Sequence, residues 1–368
     1  MKRMSLWLSL IALTGLLGLS APTASATEAA GPRKIRPANE SATERRDLRA
    51  FDAVKVSHGI QLILSQADEY RVEVTADRNL LPLVRTDVSY GTLHISYPAG
   101  LRVSGSMGTT TVCVSMPHPE LIAAETGASV LVEGALRGRE LTLTTETGTS
   151  VTGSFLFDKL NVSVETGSIL YLVQAKGRTL TLSAENGSDI TGSVAFDNVT
   201  ISAESGSSVR LDGTLNCSEL QLDAENGSNI SGAFRADRVS ASADTASTID
   251  MISLTCSTLT ASADLSSEVI GTLRSCNEAT LDASNCSTID LRGNCRTLTA
   301  HASVYATLSL RRLNCERAEL TATQMAIIDS TVHERLSATV ASGGTVTYAG
   351  NPTLDEINTH KNGNFYRR

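Results

Sequence analysis

Apolar residues recur along most of this sequence at fixed distances from a short acidic motif. The motif first appears as Glu-Thr-Gly at residues 125–127, and its acid returns every 19 to 21 residues. The acids are Glu125, Glu146, Glu165, Glu185, Glu204, Glu225, Asp244 and Asp264, and the same register continues without an acid through Ser284, Ser303, Thr323 and Ser342. A repeat of this length predicts a stack of similar units rather than a set of globular domains.

An aliphatic side chain stands five residues after each of the first eleven positions of this register. These residues are Val130, Val151, Leu170, Ile190, Val209, Ile230, Ile249, Val269, Ile289, Leu308 and Ile328. Before the acid, apolar residues alternate with polar ones, as Leu180, Leu182 and Ala184 illustrate. A period of two predicts β-strands, because successive side chains of a strand point to opposite faces.

A glycine follows the acid by two residues in six consecutive repeats, from Gly127 to Gly227. Glycine between two strand segments predicts a turn with positive φ. Each repeat then consists of strand, turn, strand and second turn, and it can bury its apolar side only against neighbouring repeats. Parallel pairing at about 4.8 Å would join the inward residues into one continuous column.

The predicted fold class is therefore all-β, and within it a right-handed parallel β-helix, or β-solenoid, with rungs of about 20 residues. A propeller is disfavoured because each blade needs roughly 40 residues and four strands. A leucine-rich horseshoe is disfavoured because its Leu-x-x-Leu-x-Leu spacing does not occur in the chain.

The segments around the repeats predict the rest of the organisation. Residues 1–26 resemble a secretory signal peptide, with a positive start, an apolar run and small residues at the cleavage site. The polar segment 27–50 predicts a flexible linker. Residues 51–120 predict an N-terminal β region of the solenoid, 121–348 the repeats, and 349–368 a C-terminal tail. No segment after the signal is apolar enough to span a bilayer, so the expected location is periplasmic, cell-surface or secreted.

The chain resembles the GIN domain family, described as the head of auto-transporter adhesins and found mainly in exported bacterial proteins. The resemblance covers about residues 51–352 and rests on short motifs together with the Glu-x-Gly-Ser rungs. The motifs are Phe51-Asp52-Ala53-Val54 with Gly59, Val88 through Gly91-Thr92-Leu93 and Ile95, and Gly343-Gly344-Thr345-Val346 with Tyr348, Gly350, Asn351 and Pro352. It implies a β-solenoid and an adhesin-like role, with no catalytic motif.

The acidic column is the first candidate for chemistry. Carboxylates stacked at rung spacing repel one another, and a calcium ion bound by several of them would relieve the repulsion. The eight acids from Glu125 to Asp264 are thus a calcium candidate. The Gly-Gly-x-Gly-x-Asp calcium repeat is missing, however, and solvated side chains can move apart, so the primary prediction is a solvated turn without metal.

Cysteine forms a second column. Cys217, Cys256, Cys276, Cys295 and Cys315 all lie eight residues before the register position, which is predicted to face the core. Buried free thiols are expected, and disulfides joining Cys256 with Cys276 or Cys295 with Cys315 are the alternative in an exported protein. The sequence contains no CxxC pair, so the cysteines do not indicate a metal site.

Net charge and composition narrow the function. The formal net charge is -8 and aromatic residues make up 4% of the chain. An acidic chain disfavours nucleic acid and anionic lipid as partners, because both need clustered Lys and Arg. The prediction is an exported, non-catalytic, adhesin-like binding or structural module without a cofactor, with a glycan or surface protein as partner. A polysaccharide lyase or hydrolase is the alternative, and it would need acids converging from neighbouring rungs.

Overall fold

The structure is a computed structural model that describes residues 34–104 and 108–368. The expected signal peptide over residues 1–26 lies outside the described residues. The described chain is built from strands with a single short 3-10 turn at Leu81–Leu83. Stacked parallel strands form a β-solenoid of about 12 turns, which confirms the predicted fold class. The right-handed sense of the coil stays a prediction.

The strands are numbered in chain order. The first ten are β1 (Lys34–Ile35), β2 (Ser41–Arg46), β3 (Ala53–Val56), β4 (Gln61–Gln66), β5 (Arg71–Asp77), β6 (Arg85–Ser89), β7 (Thr92–Ser96), β8 (Arg102–Val103), β9 (Thr111–Met116) and β10 (Leu121–Glu125). The long strands of the repeats are β11 (Ser129–Glu146), β12 (Ser150–Glu165), β13 (Ile169–Glu185), β14 (Asp189–Ala203), β15 (Ser208–Ala224), β16 (Asn229–Ala243), β17 (Thr248–Ala263), β18 (Glu268–Ala283), β19 (Thr288–Ala302), β20 (Thr307–Ala322) and β21 (Ile327–Val340). The last three are β22 (Thr345–Ala349), β23 (Thr353–Thr359) and β24 (Asn364–Arg367).

Each long strand pairs in parallel with the next, so equivalent residues of successive rungs stand in line. Ile190 of β14 is opposite Val209 of β15, which is opposite Ile230 of β16. These side chains are fully buried, as the alternation of apolar and polar residues predicted. The core is therefore one continuous column of aliphatic side chains, in which every rung covers the apolar side of its neighbour.

The corner of each rung, meaning the acid position and the three residues after it, is a two-residue turn in which both central residues have positive φ. Thr147 and Gly148 have φ of 56° and 67°, and the pattern repeats along the stack. The amide of the second central residue donates to the carbonyl of the first in the next rung, for example Gly148 N to Thr166 O at 2.9 Å. The corners thus carry a hydrogen-bond ladder of their own.

This geometry corrects the register of one rung. Ser342 is the expected register position, but Ser342 has φ of 53° and is the first central residue of the turn. The turn closes by a hydrogen bond from Gly344 N to Ala341 O at 3.0 Å, so Ala341 holds the equivalent position. The sequence pattern slipped by one residue because no acid marks the corner there.

A column of buried serines lies directly inside the corners, three residues after the register position. The hydroxyls of Ser188, Ser207, Ser228, Ser247, Ser267 and Ser287 donate to main-chain carbonyls of the preceding rung at 2.6 to 2.7 Å. A buried hydroxyl without a partner would be costly. The serine column thereby ties each turn to the strand below it.

The N-terminal end of the solenoid is closed by antiparallel strands. The rung of β3 and β4 lies between the rung of β7 and β9 on one side and the start of the repeats on the other. On the outer side, β5 pairs antiparallel with β9, and β6 pairs antiparallel with β7. β2 in turn pairs antiparallel with β5. The described part of the expected linker is therefore not a free linker, since Ser41–Arg46 is a paired strand. Backbone pairing needs no apolar side chains, so the polar sequence of this segment did not predict a strand.

The C-terminal residues also belong to the solenoid. The expected tail over 349–368 contains β23 and β24, which pair in parallel with β21 and β22. Phe365 stacks on Tyr348 with ring centroids 5.0 Å apart. The repeat pattern weakens here because an aromatic residue fills the usual aliphatic position. Within residues 34–104 and 108–368, no helix provides an apolar segment that could cross a membrane.

Replacing Ile230 with Asp should unfold the middle of the solenoid. The side chain is fully buried, and an unpaired charge in the apolar column should cost roughly 4 kcal/mol or more. Thr147→Asp is the control, because Thr147 is exposed and Asp tolerates its positive φ. Thermal melts followed by circular dichroism would check this, and equal melting temperatures for the two variants would contradict the inward assignment.

Candidate binding face

The acids at the corners stand in register from rung to rung, with Glu125 opposite Glu146 and Glu165 opposite Glu185. Three glutamates of the middle rungs, Glu165, Glu185 and Glu204, each accept a hydrogen bond from the serine two residues earlier on the same strand. The Ser163 hydroxyl donates to Glu165 at 3.0 Å, and the Ser183 hydroxyl to Glu185 at 3.2 Å. The first acid, Glu125, forms an ion pair with Lys55. Hydroxyl groups and one lysine thus contact several of the carboxylates that the sequence made candidates for calcium.

The electrostatics differ between two acids in the second half of the acidic column, Glu225 and Asp264. Burial and the neighbouring charges of Glu204 and Asp244 raise the pKa of Glu225. Burial acts in the same direction on Asp264, but hydrogen bonds from Ser284, Asn285 and the Leu265 amide outweigh it and lower the pKa of that carboxyl. Across the part of the chain that the structure describes, no three His, Cys, Asp or Glu side chains converge to hold a metal ion.

Four of the five cysteines of the column are buried in consecutive strands. Cys256, Cys276, Cys295 and Cys315 stand opposite one another in register from β17 to β20. The sulfur atoms of Cys256 and Cys276 are 3.4 Å apart and all seven cysteines are free. Cys217 is half-buried and is separated from the others by Ala236.

Three thiols of this column, those of Cys217, Cys256 and Cys295, are held in the protonated form. Contact with the Cys276 sulfur and burial raise the pKa of Cys256, and the same two causes, with Cys315 as a further neighbour, raise the pKa of Cys295. Burial raises the pKa of Cys217 to about 11. Since the thiolate is the reactive form, these cysteines are packing residues rather than nucleophiles.

The most regular outward surface is made of hydroxyl and amide side chains. It is formed by residues four and two positions before the corner, and we call it the hydroxyl face. The fourth positions are Thr142, Asn161, Thr181, Thr200, Gln221, Ser240, Thr260, Thr280 and Thr299, and adjacent members stand opposite each other in register. The second positions are Thr144, Ser163, Ser183, Ser202, Asp223, Ser242, Ser262, Asp282 and His301. One polar unit therefore recurs at each rung.

The border of the hydroxyl face carries ion pairs between neighbouring rungs. Lys159 pairs with Glu140 at 2.7 Å, and Arg238 pairs with Glu219. Beside the second pair, a shallow depression of about 380 Å³ is lined by Thr200, Gln221 and Ser240 of the face. The face is thus a long, slightly grooved polar surface rather than a deep pocket.

A second depression, of about 350 Å³, lies on the other side of the corner. It brings together Asp250, Glu268, Asp290, Arg292 and Arg312, residues that sequence reasoning did not single out. The Arg312 guanidinium pairs with Asp290 at 3.2 Å, and Arg292 donates to the Thr272 hydroxyl at 2.8 Å. Burial raises the pKa of Asp250, against the opposing effect of Arg292. Because Asp290 is paired with Arg312, Asp250 and Glu268 are the other acids of this depression that a catalytic hypothesis would use.

These surfaces define a class of protein, a β-solenoid with regular polar columns and a shallow outer surface. The chain belongs to the family described as "Putative auto-transporter adhesin, head GIN domain", whose model matches residues 50–212 and 264–352. This confirms the family resemblance of the sequence. Membership implies an exported or surface protein of adhesin-like type.

Several solved structures match the chain over most of its length, at low sequence identity and low TM-score. A putative adhesin from Bacteroides fragilis is 12% identical, covers 91% of this chain and 100% of its own, and has a TM-score of 0.29. A putative adhesin from Parabacteroides merdae is 14% identical, with 91% and 99% covered and a TM-score of 0.26. A putative lipid binding protein from Parabacteroides distasonis is 12% identical, with 91% and 100% covered and a TM-score of 0.35. No curated protein matches the sequence.

Thiol labelling of the native chain should distinguish the core cysteines from the exposed ones. Cys286 and Cys113 are exposed, and burial raises the pKa of Cys113, so a maleimide should modify Cys286 first. Cys256, Cys276, Cys295 and Cys315 should react only after denaturation. Peptide mass spectrometry without reduction is the measurement, and a disulfide between Cys256 and Cys276 or between Cys295 and Cys315 as the main species would contradict the column of free thiols.

The acidic column should make stability depend on pH in a definite direction. The folded state binds the Glu225 proton more tightly than the unfolded state, so ionisation of Glu225 lowers stability as the pH rises through the folded pKa. Glu225→Gln should therefore raise the melting temperature slightly at pH 7, and the difference should vanish near about pH 4.

Glu140 provides the control of opposite sign. Its ion pair with Lys159 lowers the pKa of Glu140, so its charge favours the folded state at neutral pH. Glu140→Gln should lower the melting temperature slightly at pH 7, and this loss should disappear at low pH. Shifts of the same sign for the two variants would show that the acidic column is not under repulsion.

Proposed function

We propose that this chain is a non-catalytic, exported or cell-surface module that binds an extended glycan along its hydroxyl face. The observation that carries the proposal is the column from Thr142 to Thr299, in which each rung presents a hydroxyl or amide side chain in register with the next. A polymer with repeating hydroxyl groups can meet the same donors and acceptors at every rung.

The energetics favour many weak contacts over one strong pocket. A single hydrogen bond to an exposed hydroxyl contributes little in water, but linked contacts along one polymer add through their high effective concentration. The rigid parallel ladder supports this, because the hydroxyl groups are ordered before the ligand arrives and lose less entropy on binding. Ion pairs such as that of Lys159 with Glu140 would flank the ligand.

Removing hydroxyl groups without changing shape tests the proposal. Thr181, Thr200 and Thr260 are replaced together by Val, which keeps the branched shape that suits a strand. Each lost hydrogen bond is worth roughly 0.5–1.5 kcal/mol, so binding on a glycan array should weaken by about tenfold or more.

The matched control replaces Thr248, Thr288 and Thr307 by Val. These residues stand four residues after the register position, on the opposite side of the corner. This variant removes the same number of hydroxyl groups and should keep full binding. Equal loss in both variants, or binding of the wild-type chain to proteins but to no glycan, would contradict the assignment of the hydroxyl face.

The polysaccharide-processing alternative depends on the depression around Asp250. Sugar release from a polysaccharide by the purified chain, lost in Asp250→Asn and kept in the triple Thr→Val variant, would establish catalysis there. Glycan binding without release of reducing sugar supports the non-catalytic module.

A further inference from the structure

The corner edge changes character in the C-terminal half of the solenoid. Up to Gly227 its central turn positions hold Thr, Asn or Ser followed by Gly, whereas the four corners between Leu265 and Met325 each contain Leu, Cys, Val, Tyr or Met. We call Leu265, Cys286, Val304, Tyr305 and Met325 the apolar corner. Asp264 still marks the corner of Leu265, and the acid is replaced in the following rungs, where Ser284, Ser303 and Thr323 occupy the register position.

These side chains occupy backbone positions that disfavour them. Val304 and Tyr305 have φ of 50° and 62°, in the left-handed region where a β-branched residue is a clear outlier. A non-glycine residue there costs about 1–2 kcal/mol. The corner ladder enforces the geometry, because Cys286 N donates to Val304 O and Tyr305 N to Gln324 O, both at 3.0 Å.

The fold gains little burial in return. Leu265, Tyr305 and Met325 are 50%, 56% and 53% exposed. The Met325 side chain lies along the edge over Gly343, where its Cγ is 3.1 Å from the position of an added Cβ. These residues are strained, they do not pack in the core, and their contact with water is unfavourable. Such residues indicate a surface that contacts another molecule.

Charge is distributed along the edge in three parts. Acids occupy the corners up to Asp264, the apolar corner follows, and the last corner carries His360 and Lys361, the latter with φ of 48°. Loss of charge together with gain of Tyr and Met is the composition of an interface centre. The edge therefore has an acidic half, an apolar middle and a basic end.

We propose that the apolar corner binds a second copy of this chain, antiparallel and around a two-fold axis at the corner of Cys286. Counting corners outward from this axis places Leu265 against Tyr305 of the second copy. It places the corner of Glu204 against the corner of Lys361. Asp244 and Asp264 then face the neutral corners of Thr323 and Ser303.

The antiparallel direction follows from the charges. In a parallel arrangement each acid would meet the same acid of the second copy, whereas the two-fold arrangement lets no corner acid face another. An anionic bilayer is a poorer occupant, because it needs clustered basic residues and the net charge is -8. The facing corners from Glu204 to Lys361 span eight rung intervals, about 38 Å at 4.8 Å each, so a narrow and reversible contact is expected.

The first test restores the glycine-type corner. The variant Leu265→Asn, Tyr305→Gly and Met325→Gly places residues that tolerate positive φ at these positions, so its melting temperature should equal or exceed that of the wild type. Sedimentation velocity over a concentration series should show a reversible dimer for the wild-type chain and only monomer for the variant. Tyr171→Asn, at an exposed site six rungs before the corner of Cys286, should leave the dimer unchanged.

The second test examines direction and register. Lys361→Glu should weaken the dimer about twofold to fivefold, and the added change Glu204→Lys should restore it. In a Cys113→Ser background, a short bismaleimide should join two chains through Cys286.

A wild-type chain that remains monomeric at the highest concentration reached would overturn the proposal. A dimer that persists in the triple variant would also overturn it. A third contrary result would be a monomeric wild-type chain that binds anionic vesicles through the apolar corner, so that the triple variant no longer binds them.

Discussion

The hydrogen bond that joins each corner to the next is the interaction on which the rest of the structure depends. It runs from the second central residue of one turn to the first central residue of the following turn, from Gly127 to Gly343. Because it continues the ladder through the turn, neighbouring rungs cannot shift relative to one another. Register is therefore maintained on both sides of the corner, which keeps the aliphatic residues in line and the polar residues in columns.

Alignment in columns multiplies the effect of each residue type. A carboxylate repeated at one position produces repulsion, which adds to burial in raising the pKa of Glu225, while serine at the neighbouring position provides hydrogen bonds to the strand below. A thiol repeated at a core position gives a buried column in which the sulfur of Cys256 touches that of Cys276. The same alignment makes the hydroxyl face regular, so a weak contact at Thr200 is available again at Thr181 and along the strand stack.

Function is distributed over different edges of one scaffold. The hydroxyl face suits a long polar ligand, and the apolar corner suits a second chain, so two bound copies would present two hydroxyl faces. Family membership agrees with a surface role, although the fold itself is compatible with many functions. The assignments therefore rest on named side chains, such as Thr200 on the face and Tyr305 at the corner.

The sequence by itself determined the solenoid, because apolar residues at a fixed distance from Glu125 and its equivalents can be buried only by stacking. It also determined which side chains form each column, including the cysteines. Local sequence could not show that Ser41–Arg46 is a strand, because pairing with β5 uses backbone groups that every sequence has. It placed the corner at Ser342 instead of Ala341, and it did not show that Val304 adopts positive φ, since hydrogen bonds from neighbouring rungs impose that conformation against local preference. Tertiary structure alone decided these points, because contacts between residues about one rung apart outweigh the intrinsic tendencies of the residues themselves.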